Sequence, residues 1–206
     1  MTGAELVDAL GKRVEDEGDV NFPVAHKLQA LNTAQKTLVN LLHNYYLTPL
    51  KSRANAKTLS VNATSGYAVQ DFTTLFGSYP DNFPIRNGIT RLYDNVNKRF
   101  AKLIPESDFM PSTTYSYGTV FCVEGNQIAV APATCLSVDV YYLKNPTELA
   151  DGSTECEFGE SVEPILLDLA ESEIFFADNR QNRGNLAYQR AFQQIQILNE
   201  RLAELE

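Results

Sequence analysis

Residues 160–206 read ESVEPILLDLAESEIFFADNRQNRGNLAYQRAFQQIQILNERLAELE, and their spacing predicts two closing helices with a tight break between them. In the first, Ile165, Leu166, Leu169, Ala170, Ile174, Phe175 and Phe176 form a wide apolar face at helical period. Ser161 stands where it can cap this helix, and Pro164 falls in the first turn, where its missing N–H costs nothing. Asn179–Gly184 breaks the pattern. Ala187, Ala191, Ile195, Leu198, Leu202 and Leu205 then recur at intervals of four, four, three, four and three, with Tyr188 and Phe192 one position along. Helices of this kind are stable only when such a stripe is packed, so the pair must bury against each other and against an earlier segment or a neighbouring subunit. The apolar repeat reaches the last turn even though Glu200, Glu204 and Glu206 sit at the negative pole of the helix dipole. That conflict marks Ile195, Leu198, Leu202 and Leu205 as candidate contacts for a partner.

The N-terminal part is also helical. Thr2-Gly3-Ala4-Glu5 has the form of a capping box, opening a short helix with Leu6, Val7, Leu10 and Val14 on one side. A longer helix is expected from Asn21–Pro23 to about Tyr46, with Val24, Leu28, Leu31, Leu38, Leu42 and Tyr45 as its stripe. From Lys57 to Asn145 alternation and turn residues replace the helical period. Thr58–Ala63 alternates with period two, and Ile89–Asp94 and Arg99–Ile104 flank the turn residues Asp94–Asn97. Thr119–Val123 and Gln127–Ala131 flank Glu124-Gly125-Asn126 as a second hairpin, and Ser137–Leu143 adds a strand rich in β-branched and aromatic residues. The expected fold is therefore α+β. A helical bundle, two helices from the N-terminal part and two from the C-terminal part (1–57 and 146–206), carries an inserted small antiparallel β-sheet or barrel at 58–145.

Composition narrows the function classes. A chain of 206 residues with 44% apolar content can bury a real core. No apolar run is long enough to span a membrane, and no basic-then-apolar leader opens the chain, so a soluble, unsecreted protein without membrane contact is expected. Three cysteines, Cys122, Cys135 and Cys156, lack paired spacing and read as reduced packing residues. The net charge of −9 argues against wrapping nucleic acid. That charge is segregated: 21–57 holds five bases and no acid, whereas 146–206 holds thirteen acids and four bases. Between Glu148 and Glu173 lie nine acids and no Lys or Arg, making Glu155, Glu157, Glu160 and Glu163 a candidate acidic channel or partner surface.

No phosphate-binding glycine loop, dinucleotide turn, nucleophile elbow or H-E-x-x-H pair occurs. The two histidines, His26 and His43, project about 260° apart around one helix, which leaves no shared metal site. Glu106 and Asp108 read as solvating loop acids rather than a catalytic pair. Arg91-Leu92-Tyr93 and Lys98-Arg99-Phe100 interleave bases with aromatics, a faint version of a single-strand-binding pattern. No catalytic, cofactor-binding or metal residue is expected, and no enzyme activity.

Three phrases resemble the head-to-tail adaptor proteins of tailed bacteriophages, including the gatekeeper-type tubular tail proteins. They are Leu31-Asn32-Thr33-Ala34-Gln35 in the long helix, Val140-Tyr141-Tyr142-Leu143-Lys144-Asn145-Pro146 closing the β region, and Phe158–Leu167 leading into the penultimate helix. The resemblance implies a virion structural protein at the neck, made in the bacterial host cytoplasm. It implies a homomeric ring, usually of twelve subunits, joining portal to tail or nozzle proteins, with packaged DNA passing through without sequence-specific binding. In that setting Ile195, Leu198, Leu202 and Leu205 would meet the portal or a neighbouring subunit. Other phage neck or tail completion proteins, or a non-catalytic module whose β insertion recognises a peptide or sugar, are the alternative readings.

Overall fold

A helix with apolar side chains on every side has to be buried on every side, and Glu163–Ala177 is such a helix: Ile165, Leu166, Leu167, Leu169, Ala170, Ile174 and Phe175 are all buried. The rest of the helical part is arranged around it. The computed structural model describes residues 1–62, 66–77, 84–110 and 118–203. They include five helices, α1 (Gly3–Arg13), α2 (Val24–Leu41), α3 (Phe72–Phe76), α4 (Glu163–Ala177) and α5 (Gln181–Ala203). Eight strands accompany them: β1 (Lys51–Thr58), β2 (Ser60–Val61), β3 (Ala68–Asp71), β4 (Pro84–Asp94), β5 (Arg99–Leu103), β6 (Val120–Glu124), β7 (Gln127–Ala131) and β8 (Ser137–Lys144). The chain divides into two units, Met1–Pro49 with Pro146–Glu206, and Leu50–Asn145. The class is α+β.

In the helical unit α4 contacts α1, α2 and α5. The capping box at Thr2 forms as expected: the Thr2 hydroxyl accepts from the Glu5 N–H, and the Glu5 carboxylate accepts from the Thr2 N–H. The long helix is shorter than its apolar stripe, ending at Leu41 instead of Tyr46. Its stripe is also displaced, since Val24 and Tyr45 are exposed whereas Lys27 and Gln35 are buried. Lys27 explains the displacement: its ammonium reaches the Asp16 carbonyl and the Asp19 carboxylate, so the buried face includes it.

Two expectations about α4 and α5 are corrected. Ser161 is exposed and caps nothing; α4 starts behind Val162, after a turn in which the Val162 and Glu163 N–H groups donate to the Gly159 carbonyl. The expected break at Asn179–Gly184 is too long, because α5 already begins at Gln181. Gly184 is a packing residue within α5. A Cβ there would lie 2.6 Å from the Phe176 ring, so glycine lets the two helices approach.

The strand order is β1-β8-β4-β5-β6-β7-β3-β2. All pairs are antiparallel except β5 and β6, which run parallel through Lys102↔Val120 and Leu103↔Phe121. The antiparallel expectation is corrected to a mixed sheet of eight strands; parallel neighbours require a long connection, and the stretch of chain between Leu103 and Val120 is long enough to be one. Only Leu59 separates β1 from β2, so the two ends of the order are one continuous stretch and the sheet curls towards itself. Val138, Val140 and Tyr142 of β8, Leu92 of β4 and Ile128 and Val130 of β7 fill its core. Residues 51–57, assigned to the helical part from sequence, instead form most of an edge strand. Their composition, KSRANAKT through Thr58, has one buried side chain, Ala54.

Both expected hairpins are present, joining β4 to β5 and β6 to β7. Gly125 has φ +56°, with nothing within 4 Å of a Cβ placed there, so only its backbone conformation demands glycine. Gly125→Val should therefore cost roughly 1–2 kcal/mol, read as a lower midpoint in urea with an unchanged slope.

A bulge in β1 depends on Asp139 of β8. At Ala56 the backbone turns to φ +47° and its N–H donates to Asp139 Oδ1 at 2.6 Å. That bond, with those from Asn95 and Arg53, lowers the Asp139 carboxyl to about 2. A carboxyl lowered on folding stabilises above its unfolded value of about 4, and that contribution disappears as pH falls towards 2. Asp139→Asn should flatten this part of the stability–pH curve, measured by thermal melts between those limits.

Candidate functional site

Burying α4 brings Glu163, Asp168 and Glu171 into the interior, and four neighbours answer them. Asp168 accepts from Arg13 of α1 and, at 3.0 Å, from Gln194 of α5, and lies 3.2 Å from Arg190. Glu171 pairs with Arg190 at 2.7 Å and with Arg13 at 3.7 Å. Burial raises the Glu171 carboxyl above its ordinary range, against the pull of both arginines. Glu163 is buried too, and bonds the Met1 ammonium. The acidic surface expected from sequence therefore loses one member: Glu163 faces inward. Glu157 is half-buried and accepts from the Thr147 N–H at 2.8 Å, whereas Glu155 and Glu160 are exposed.

The candidate contacts on α5 separate in the same way. Ile195 is 2% exposed, buried with Ala187 and Ala191 in the helical unit. Leu198 and Leu202 are half-buried, and Leu205 lies outside the described residues. The exposed apolar side chains of α5 flank that stripe: Leu186, Tyr188, Phe192 and Ile197. The Tyr188 and Phe192 rings stack with centroids 6.3 Å apart. Asn199 fastens the end of α2, accepting from the His43 N–H at 2.9 Å and donating to the Leu41 carbonyl at 3.0 Å.

Asn32 and Gln35, in the phrase that resembled a phage adaptor, hold the chain where it re-enters the helical unit. Asn32 accepts from the Leu149 N–H at 2.8 Å and donates to its carbonyl at 3.4 Å; Gln35 donates to the Thr147 carbonyl at 3.3 Å. Leu31 and Ala34, each one residue before them, are fully buried. Sequence reasoning missed Arg13 and Arg190. Their signal was present as two acids three apart, Asp168 and Glu171, inside an otherwise apolar face.

The remaining candidates do not converge. Glu106 and Asp108 sit on an exposed 3₁₀ turn. A cleft of about 380 Å³ between α2 and α4 is lined by His26, Thr33, Glu173 and Asp178. Among the described residues no group of three His, Cys, Asp or Glu side chains is disposed to hold a metal ion. Cys122 and Cys135 are buried and Cys156 half-buried; burial pushes the Cys122 thiol up to about 11. No described helix is long and apolar enough to cross a membrane.

The polar clusters around Asp168, Glu171 and Asn32 fasten segments of the helical unit to one another. The chain belongs to the SU10 adaptor protein family, whose model matches residues 1–205. It is a phage adaptor, as the sequence resemblance implied. No curated protein matches the chain.

Arg190→Ala should destabilise the subunit by roughly 1–3 kcal/mol, less than for a fully buried pair because the arginine is 44% exposed. Combining it with Glu171→Ala should recover part of that loss, which a double-mutant cycle of urea midpoints measures.

Proposed function

We propose that the protein forms a homomeric ring of twelve copies at the virion neck, joining the portal to tail or nozzle proteins. Packaged DNA would pass through it without sequence-specific binding. The family match over residues 1–205 carries the reading. The closing helix supports it physically. A closed ring needs two different surfaces on each subunit, one for each neighbour. Leu186 and Ile197, eleven residues apart, fall about three turns apart along one line of α5. Tyr188 and Phe192, one turn apart, lie on the other side of the buried stripe. Two apolar flanks on one helix are what a heterologous contact uses, and Leu198 and Leu202 extend the surface towards the portal. A net charge of −9 favours DNA sliding past over DNA adhering.

Tyr188→Asp with Phe192→Asp, and separately Leu186→Asp with Ile197→Asp, test the ring. Each pair should keep a cooperative melt, since surface changes cost within about 0.5 kcal/mol. Each should also lower the ring population seen by native mass spectrometry, alone or with portal. Wild-type assembly in both variants would overturn the assignment of this helix to the ring contact.

A further inference from the structure

The outer face of the sheet, opposite its core, carries a basic and aromatic platform across four neighbouring strands. Register sets Arg53 of β1 and Arg91 of β4 on either side of Tyr141 of β8, and Tyr93 of β4 opposite Phe100 of β5. The Arg53 guanidinium lies 5.0 Å from the Tyr141 ring centre and that of Arg91 lies 5.9 Å from Phe100. Tyr93 and Phe100 meet at 5.1 Å, and Phe100 and Tyr141 at 6.2 Å. Phe100 is nonetheless 55% exposed, part of an aromatic patch left open to solvent in the subunit. Arg53 is ion-paired to Asp139, whereas Arg91 is exposed and pairs with no carboxylate among the described residues. A guanidinium that rests against a ring through its face still has N–H donors to offer, and a carboxylate can take them through two parallel bonds.

We infer that this platform docks the acidic segment around Glu155 and Glu160 of a second copy of the chain. The inference rests on the ring reading and adds a contact separate from α5. Charge complementarity identifies the occupant. Glu155 and Glu160 are exposed, and among the described residues neither has a basic partner, within a stretch of nine acids and no bases. The other acids nearby are engaged: Glu148 with Lys36, Asp151 with Ser153 and Thr154, Glu157 with Thr147. A nucleic-acid strand fits less well. The guanidiniums cover the Tyr141 and Phe100 faces on which bases would stack, and the chain's net charge repels phosphate.

Two full-length variants test this, Arg91→Glu and the double variant Glu155→Arg/Glu160→Arg. Each alone sets like charges against each other at the contact and should need roughly tenfold more protein to assemble. Mixed in equal amounts they should assemble at the wild-type concentration, because the acidic platform of the first variant then meets the basic segment of the second. Native mass spectrometry with one variant isotopically labelled should find the two alternating in the mixed species. Unchanged assembly of Arg91→Glu alone, or no recovery on mixing, overturns the contact while leaving a wild-type ring intact. Mixed pairs that associate without closing into rings would support the contact and sink the ring. Wild-type binding to a fluorescent single-stranded oligonucleotide that Arg91→Glu abolishes, with assembly unaffected, would assign the platform to nucleic acid instead. Thermal melts of all variants check that the fold is retained, as expected for exposed positions.

Discussion

A helix buried on every side cannot also carry three ionised carboxylates unless its neighbours bring counter-charges, and this condition governs the helical unit. The cost of leaving one such ion unpaired is several kcal/mol, a large fraction of the stability of an ordinary domain. Asp168 and Glu171 therefore tie α4 to Arg13 of α1 and Arg190 of α5 together, while Glu163 binds the Met1 ammonium. Apolar packing alone would accept α1 and α5 in several rotations about α4. The paired charges admit few of them, because a small rotation strands an acid among leucines. Lys27, buried under the Asp16–Phe22 loop, applies the same restriction to α2: the Asp16 carboxylate is held by the Val20, Asn21 and Phe22 N–H groups.

The sheet unit solves a related problem with aspartates. Where the backbone departs from the ladder, a carboxylate takes the place of the missing partner. Asp94 accepts from the Val96 and Asn97 N–H groups across the β4–β5 turn and from the buried Thr119 hydroxyl beyond it. Asp139 receives the Ala56 N–H at the bulge, and Asn95 Nδ2 as well, so the turn and the bulge share a support. Arg53, drawn to Asp139, is thereby fixed over Tyr141. The outer face of the sheet owes its order to a bulge in its edge strand.

Local chemistry was legible in the sequence; long-range pairing was not. The capping box at Thr2 and the turns at Asp94–Asn97 and Gly125 involve residues within four positions of each other, and each was readable. Gly184 was misread because a glycine admitted for a neighbouring ring looks the same in one dimension as a glycine that ends a helix. Residues 51–57 escaped because an edge strand with one buried side chain has no alternation to detect. The parallel β5–β6 pair left no local trace. Among the candidate contacts, Ile195 is covered within its own subunit; periodicity tells which side of a helix is covered and not by whom. Glu163 was counted as surface for the opposite reason: nothing in its neighbourhood announces that the chain's own ammonium reaches it.

The strands by which the chain leaves and re-enters the helical unit are hydrogen-bonded to each other, Lys51 opposite Leu143. Departure and return are therefore a single strand spacing apart, whatever the length or pattern of the segment between them. A different insertion that began and ended on such a stem could be exchanged without altering α1, α2, α4 or α5. Recombination between related genomes that cut at this stem would deliver a new inserted module on an old scaffold in one event.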